Sequence, residues 1–436
     1  MTGDADRARR RPRARAFAAL ALALASCAPS RHPNVVWIVI DALRADALHV
    51  YGYPKPITPA IDALAAEGVR FENHFANAAQ TVPSTLTMLL SRRPSDHGFS
   101  PPDVAVFADR RPVYPAEFLF FAEVLHDAGY ATAGYTANPY LTRANGFDQG
   151  FETFGTTAER GEDLVRRASA WLDERKQDRG RPFHLYLHLM DVHQPYAPPV
   201  EYLARLAPNP QGAVRLEGNR AVPFAPPTDL AYNADRYAAC VAYADALVAS
   251  LLAKLDALGL RDDTIVVLTA DHGEEFGEHG GIGHGRHVFG EVVRVPLILR
   301  WPGHLEAGRV VAHVSQHLDL APAVLALAGV PQPPEEQGRT IFEPIDAAFL
   351  EMGPWRGIVA GDDKLVWNTQ TGEQRLFALS DRLDRQPRDD AATSARLRGR
   401  LETLEAQRPH RAAAVPAAAT WSEEEKERLR ALGYAR

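Results

Sequence analysis

Three stretches of this chain carry side chains able to bind a metal or act as a nucleophile. Asp41 follows the apolar run "NVVWIVI" (Asn34 to Ile40), Thr81 lies in "ANAAQTVPSTLTMLLSRRPSDHG" (Ala76 to Gly98), and "DHGEEFGEHGGIGHGRH" (Asp271 to His287) follows a second apolar run. Asp41, Asp271 and His272 together offer two carboxylates and an imidazole, a set suited to one divalent metal. Mixed nitrogen and oxygen donors favour Mn2+ or Zn2+, while Ca2+ and Mg2+, which prefer oxygen alone, stay possible. His279, His284 and His287 sit on a glycine-broken segment, where at least one is expected to face a ligand. Thr81 lies two residues before Pro83, which opens a helical pattern, so its hydroxyl is expected near a helix N-terminus. The helix dipole contributes about 1 kcal/mol, far too little to ionise an alcohol at neutral pH. A neighbouring metal supplies the rest, and beside one Thr81 is the best nucleophile on offer. Without a metal it reads as a helix cap.

The elements that must position these groups alternate between strand and helix patterns, which predicts a largely parallel sheet covered by helices. Besides Asn34 to Ile40, strands are predicted at "FHLYLHL" (Phe183 to Leu189), "TIVVLTA" (Thr264 to Ala270) and "VPLILR" (Val295 to Arg300). "TPAIDALAAEG" predicts a helix with Thr58 as cap, Pro59 in the first turn and Gly68 as the stop. "RYAACVAYADALVASLLAKLDALG" has helical apolar spacing and makes Cys240 a buried structural thiol. In open parallel sheets, sites form just beyond the carboxyl ends of strands, so Asp41, Asp271 and His272 are expected at one edge. The proline-rich region from 198 to 232 reads as a surface excursion on the rim of that site.

Composition sets the class. The chain has 436 residues, 46% hydrophobic and 24% charged, ordinary globular material without an internal repeat. Six arginines between Arg7 and Arg15 precede a ten-residue apolar run, Ala16 to Ala25, too short to span a bilayer but suited to a signal-peptide core. The following Leu24-Ala25-Ser26-Cys27 resembles a bacterial lipoprotein cleavage box in which Cys27 becomes the lipidated N-terminus. Residues 1–26 therefore read as a signal peptide, and the protein as exported and membrane-anchored in the bacterial cell envelope, at the periplasm or cell surface. Their removal takes away six arginines and two aspartates, which moves the net charge from −7 to −11. Such an acidic body argues against a nucleic-acid partner.

In order, "NVVWIVIDALRADALHVYGYPKPITPAIDALAAEGVRFENHFAN", "TVPSTLTMLLSRRPSDHG", "GYATAGYTANPYL", "LHLMDVHQPYAPP" and "TADHGEEFGEHGGIGHGRHVFGEVVRVPLILRWPG" resemble the landmarks of the sulfatase family within the alkaline phosphatase superfamily. The resemblance runs from about Asn34 to Val330. It implies an alkaline-phosphatase-like α/β fold: a mixed, mostly parallel sheet sandwiched by helices, with a small C-terminal α+β subdomain. By the same resemblance Asp41, Asp271 and His272 are metal ligands, and Thr81 is the nucleophile that also touches the metal. His193 grips the ester's charged oxygens, and His284 serves the leaving-group side as general acid or hydrogen-bond donor. The departures matter as much. Common members carry Cys or Ser, x, Pro, x, Arg and oxidise the first residue to formylglycine. Here Thr81 and Thr85 replace the outer two, so no formylglycine is expected. Ala42 stands where many members have a second aspartate. The Lys and His of the usual second signature are missing, and Asn138 is a candidate donor to substrate in that region.

This combination resembles the Thr-nucleophile branch of the family. It implies a metal-dependent hydrolase or transferase that cleaves a phosphate or sulfate ester, including a lipid head group, through a covalent Thr81 intermediate. Phosphoester chemistry ranks above sulfate chemistry, because a sulfated threonine lacks the elimination route open to a formylglycine hydrate. A degenerate member that binds an anionic ligand without turnover is the alternative, and a purely structural lipoprotein is a third reading. The expected layout is a catalytic domain over 33–345, a small subdomain over 346–390 and a helical tail over 391–436. In the subdomain "GIVAGDDKLVWN" and "EQRLFAL" are expected to pair as a hairpin, and in the tail Ser422 and Glu425 form a capping box.

Overall fold

The computed structural model describes residues 32–99, 110–157, 160–178, 180–207, 215–217, 220–222, 230–407 and 420–432. Cys27 and the N-terminal segment lie outside them, as does most of the stretch from Pro101 to Pro115.

Eight strands form the main sheet: β1 Asn34–Ile40, β2 Val69–Phe75, β3 Ala131–Thr136, β4 Thr153–Thr156, β5 Phe183–Leu189, β6 Thr264–Thr269, β7 Leu297–Arg300 and β8 Arg309–Gln316. Their order is β8-β2-β7-β6-β1-β5-β3-β4. Only β7 runs against its neighbours; the pairs β1·β5, β1·β6, β3·β5, β3·β4 and β2·β8 are all parallel. The sheet is thus mixed and mostly parallel, as the motifs imply.

Both faces are covered, which is why β1 and β6 read as unbroken apolar runs rather than alternating ones. Val36, Ile38 and Ile40 enter one core with the helices α1 Pro59–Ala66, α2 Gly161–Glu174 and α3 Leu230–Ala257. Val35, Trp37 and Val39 enter the other with the helices Thr81–Leu90, Phe121–Asp127 and Leu320–Ala328. α3 is long and apolar enough to cross a membrane, yet most of its apolar side chains, Cys240 included, are packed in the first core.

Local details depart from the sequence expectations. Thr58 precedes α1, but its hydroxyl donates to Asp62 and accepts from the His49 amide rather than capping. Asp245 of α3 caps α1 instead, accepting from the amides of Ala60 (3.1 Å) and Ile61 (2.8 Å). Gly68 is required by close approach, not by a left-handed stop: a Cβ there would lie 2.2 Å from the Leu299 carbonyl oxygen. β7 begins at Leu297, two residues later than expected, because Val295 bonds through its amide to His74 outside the ladder. The proline-rich region contains a helix, Val200–Leu206, and a short antiparallel pair, Arg215–Glu217 with Arg220–Val222.

Beyond the main sheet, four antiparallel strands follow in sequence, β9 Ala348–Met352, β10 Trp355–Ala360, β11 Asp363–Asn368 and β12 Gln374–Ala378. The expected single hairpin is a four-stranded meander, in which "GIVAGDDKLVWN" supplies both β10 and β11. Its Leu350, Val359 and Phe377 share a core with Phe75, Val288 and Val292 of the main body. Helix Ala391–Ala406 covers the opposite face with Leu397 and Leu401. The last described helix, Glu423–Ala431, carries the expected capping box: Ser422 Oγ accepts from the Glu425 amide, and Glu425 accepts from the Ser422 amide at 2.8 Å.

Candidate active site

Five parallel strands deliver side chains to one sheet edge. Asp41 follows β1, Asn138 follows β3, His188 and His193 come from the end of β5, Asp271 and His272 follow β6, and Thr81 opens the helix reached from β2. Thr81 is the first residue of helix Thr81–Leu90, so the helix begins two residues before the predicted start and Pro83 occupies its first turn. Proline fits there because the first amides of a helix have no partner within it. The Thr81 hydroxyl is fully buried and lies 3.5 Å from Asp41 Oδ2 and 3.3 Å from His272 Nε2.

Each of the two carboxylates has one oxygen occupied and one orphaned. Asp41 Oδ2 takes hydrogen bonds from His188 Nε2 (3.0 Å) and Asn138 Nδ2 (2.7 Å). Asp271 Oδ1 takes the backbone amides of Ala42 (3.2 Å) and His272 (2.9 Å). Asp41 Oδ1 and Asp271 Oδ2 are buried without a hydrogen-bond partner, 3.6 and 3.5 Å from His272 Nε2. His272 Nδ1 donates to the Gly273 carbonyl at 2.9 Å, which leaves the Nε2 lone pair pointing at the same place. Two orphaned carboxylate oxygens, an imidazole lone pair and a hydroxyl converge there, and buried charge left in that state is costly without a cation. The residues therefore fit a divalent metal. Burial opposes ionisation of Asp41, but the His188 hydrogen bond and the electrostatic influence of the neighbouring histidines outweigh it and hold the carboxyl below the usual range.

The histidines of the loop after β6 divide. His284 faces the site: its ring centroid is 4.1 Å from that of His272 and 4.9 Å from that of His193. Its Nδ1 donates to Glu274 Oε1 at 2.9 Å, and Glu274 is fully buried. Burial opposes ionisation of Glu274 too, yet His284 beside it pulls its pKa down. His193 Nδ1 donates to the Gln194 carbonyl at 2.7 Å. His279 and His287 turn away; His279 pairs with Glu291 (2.7 Å) and His287 with Glu275 (2.9 Å). Asn138, expected as a donor to substrate, turns its Nδ2 to Asp41 Oδ2, with Met190 Sδ (3.2 Å) and the Thr81 hydroxyl (3.5 Å) also in reach, and its carbonyl accepts from the Tyr140 amide (2.9 Å). A separate cavity of about 850 Å³ lined by Arg294, Arg382 and Arg388 is a poor anion site, because these cations are bound to Asn73, Glu72 and Asp363.

Sequence reasoning missed His188, Tyr186 and Glu274. The signal for the first two was the alternation of His184, Tyr186 and His188 on one face of an otherwise apolar strand, with His188 next to its carboxyl end. Glu274 lies three residues after Asp271, on the same loop.

A family model described as Sulfatase matches residues 33–330. The chain is 23% identical over 429 residues to N-acetylglucosamine-6-O-sulfatase of Bacteroides thetaiotaomicron, covering 76% of this chain and 75% of that protein. It is 28% identical over 372 residues to human arylsulfatase A, covering 71% and 66%. Among solved structures, the phosphonate monoester hydrolase of Agrobacterium radiobacter superposes with a TM-score of 0.68 at 21% identity, covering 86% of this chain and 96% of that one. A structure solved with its substrate D-glucosamine-2-N,6-O-disulfate superposes with a TM-score of 0.69 at 20% identity, covering 86% and 97%.

Proposed function

Because the chain belongs to the sulfatase family, we propose that it is a metal-dependent hydrolase or transferase of anionic esters that works through Thr81 without formylglycine. The observation that carries this reading is the burial of the Thr81 hydroxyl 3.3 Å from His272 Nε2, the atom that both orphaned carboxylate oxygens also approach. Asp41, Asp271, His272 and Thr81 would hold the ion. It would supply a Lewis acid beside the Thr81 oxygen, the chemistry that lowers the pKa of an alcohol. Having lost its proton to water, Thr81 attacks the phosphorus or sulfur, and the bond to the leaving oxygen breaks. His284, held by Glu274, gives that oxygen a proton. Water or an acceptor alcohol then attacks the same centre, gives its proton to His284, and releases the Thr81 oxygen. His193 donates to the anionic ester oxygens.

The curated relatives include a sulfatase of an aminosugar and an arylsulfatase, and one solved neighbour is a phosphonate monoester hydrolase. Thr81 favours the phosphoric side of this range, since its ester leaves only by direct displacement. We further propose that the protein is exported and anchored in the cell envelope through lipidated Cys27. Turnover of aryl phosphates, phosphodiesters, phosphonates and aryl sulfates by the purified protein, with Mn2+, Zn2+ and Ca2+ supplied in turn, tests the reaction. Metal-stimulated release of phenol from a phosphate ester is expected. Ligand binding with no turnover of any ester would overturn the enzymatic reading.

A further inference from the structure

Asp41 and Asp271 are aimed by different means. The occupied oxygen of Asp271 is held by two backbone amides, which no side-chain substitution removes. The occupied oxygen of Asp41 is held by two side chains, His188 and Asn138, so the direction of its other oxygen depends on them. His188 is fully buried and continues to Tyr186, whose hydroxyl lies 3.0 Å from its Nδ1. Asp41 Oδ2 already takes the Asn138 amide and lies 3.0 Å from His188 Nε2, so Nε2 is the donor in that contact and Nδ1 accepts from the Tyr186 hydroxyl. A metal ligand would need the opposite arrangement, with the Nε2 lone pair directed inward. The distance from His188 Nε2 to Asp271 Oδ2, 3.8 Å, is also too long for a hydrogen bond.

We propose that His188 is a positioning residue of the metal site: through the chain Tyr186–His188–Asp41 it fixes the carboxylate so that Asp41 Oδ1 faces the ion. The proposal rests on the metal reading above. Ala42 occupies the second-aspartate position in a left-handed backbone with φ of 59°, a conformation that aspartate tolerates better than alanine, so backbone demand does not explain the alanine. With one carboxylate fewer, the aim of Asp41 carries more of the metal affinity. Partners that hold a ligand in this way typically change affinity 10- to 100-fold when removed.

The test is metal affinity and coordination, read without turnover. The purified protein is stripped with a chelator and titrated with Zn2+ against a chromogenic competitor. His188→Ala should weaken binding about 10- to 100-fold. His188→Gln, which keeps an N–H donor, should recover much of the loss, and Tyr186→Phe should weaken binding several-fold. If His188→Ala fails to fold, the Gln and Phe variants carry the comparison. Electron spin echo spectroscopy of the Cu2+-loaded protein should show one coordinated imidazole, lost in His272→Ala and kept in His188→Gln. Two imidazoles in the parent, one of them lost in His188→Gln, would make His188 a ligand and overturn the proposal. Affinities of the His188 and Tyr186 variants within twofold of the parent would also overturn it. A parent protein that takes up no divalent ion would instead bring down the metal reading itself.

Discussion

Thr81 draws its chemical meaning from what surrounds it. A threonine at the first turn of a helix is commonplace, but this one is buried within 3.5 Å of both a carboxylate and an imidazole, the setting on which its proposed role as nucleophile rests. Thr81→Ala should therefore lower turnover by several orders of magnitude, and Thr81→Ser should keep part of it, having lost only the methyl that restricts its rotamer. Intact mass should show an unmodified Thr81, and Thr81→Cys should stay unconverted because Thr85 replaces the arginine of the maturation motif. Near-parent turnover by Thr81→Ala in stopped assays would return the residue to a structural role. Asp41→Ala, Asp271→Ala and His272→Ala should each remove most bound metal, measured by elemental analysis, since each deletes one donor from a small set. Most of this constellation was legible in the sequence, because Asp41, Asp271 and His272 follow apolar runs and Thr81 stands just before the proline of a helical pattern. His188 was not, because it is a member of a strand whose seven residues are all buried and whose pattern reads as core.

At the scale of elements, sequence patterns located the central strands to within two residues. β1 and β5 occupy the predicted residues because burial on both faces selects continuous apolar runs of strand length. The helix at Thr81 starts earlier than its proline suggested, since proline is tolerated throughout the first turn. α1 shows a limit of another kind: its cap, Asp245, comes from a helix far along the chain, and no local motif announces such a partner. The helix Glu423–Ala431 is likewise tied to distant loops. Arg428 donates to the carbonyls of Ala137 (2.6 Å) and Thr157 (2.8 Å), and Ala137 immediately precedes Asn138. Hydrogen bonds from a charged donor are worth roughly 1.5–3 kcal/mol each when buried. Arg428→Ala should reduce kcat several-fold through the Asn138 loop and lower the melting temperature measurably. An unchanged kcat with a lowered melting temperature would confine Arg428 to stability.

For the molecule as a whole, the pH response follows from histidines buried away from the site. Burial pushes His97 and His184 down to about 3, more than offsetting the hydrogen bonds each makes to backbone. In the unfolded chain each takes a proton near pH 6.5. Between these values the unfolded state binds more protons, so stability is present above pH 6.5 and is lost as the pH falls toward 3. Each group contributes up to about 1.4 kcal/mol per pH unit in that window. Denaturant midpoints measured from pH 7 to pH 4 should fall accordingly, and His184→Gln should flatten part of the decline. At the other end of the chain, Cys27→Ser should release the protein from membranes or block its maturation; unchanged detergent partitioning would refute lipidation.

The left-handed turn at Ala42 bears on the charge of the site. Alanine and aspartate codons differ by a single nucleotide, and the backbone at φ 59° suits aspartate at least as well as alanine. A second carboxylate is therefore one mutation away genetically and is not opposed by the local chain geometry. Two carboxylates neutralise a divalent ion, whereas three would leave the centre with a net negative charge facing an anionic substrate. That extra charge would repel a doubly charged phosphate monoester more than a singly charged sulfate ester. On the metal reading proposed above, alanine at this position suits a doubly charged substrate.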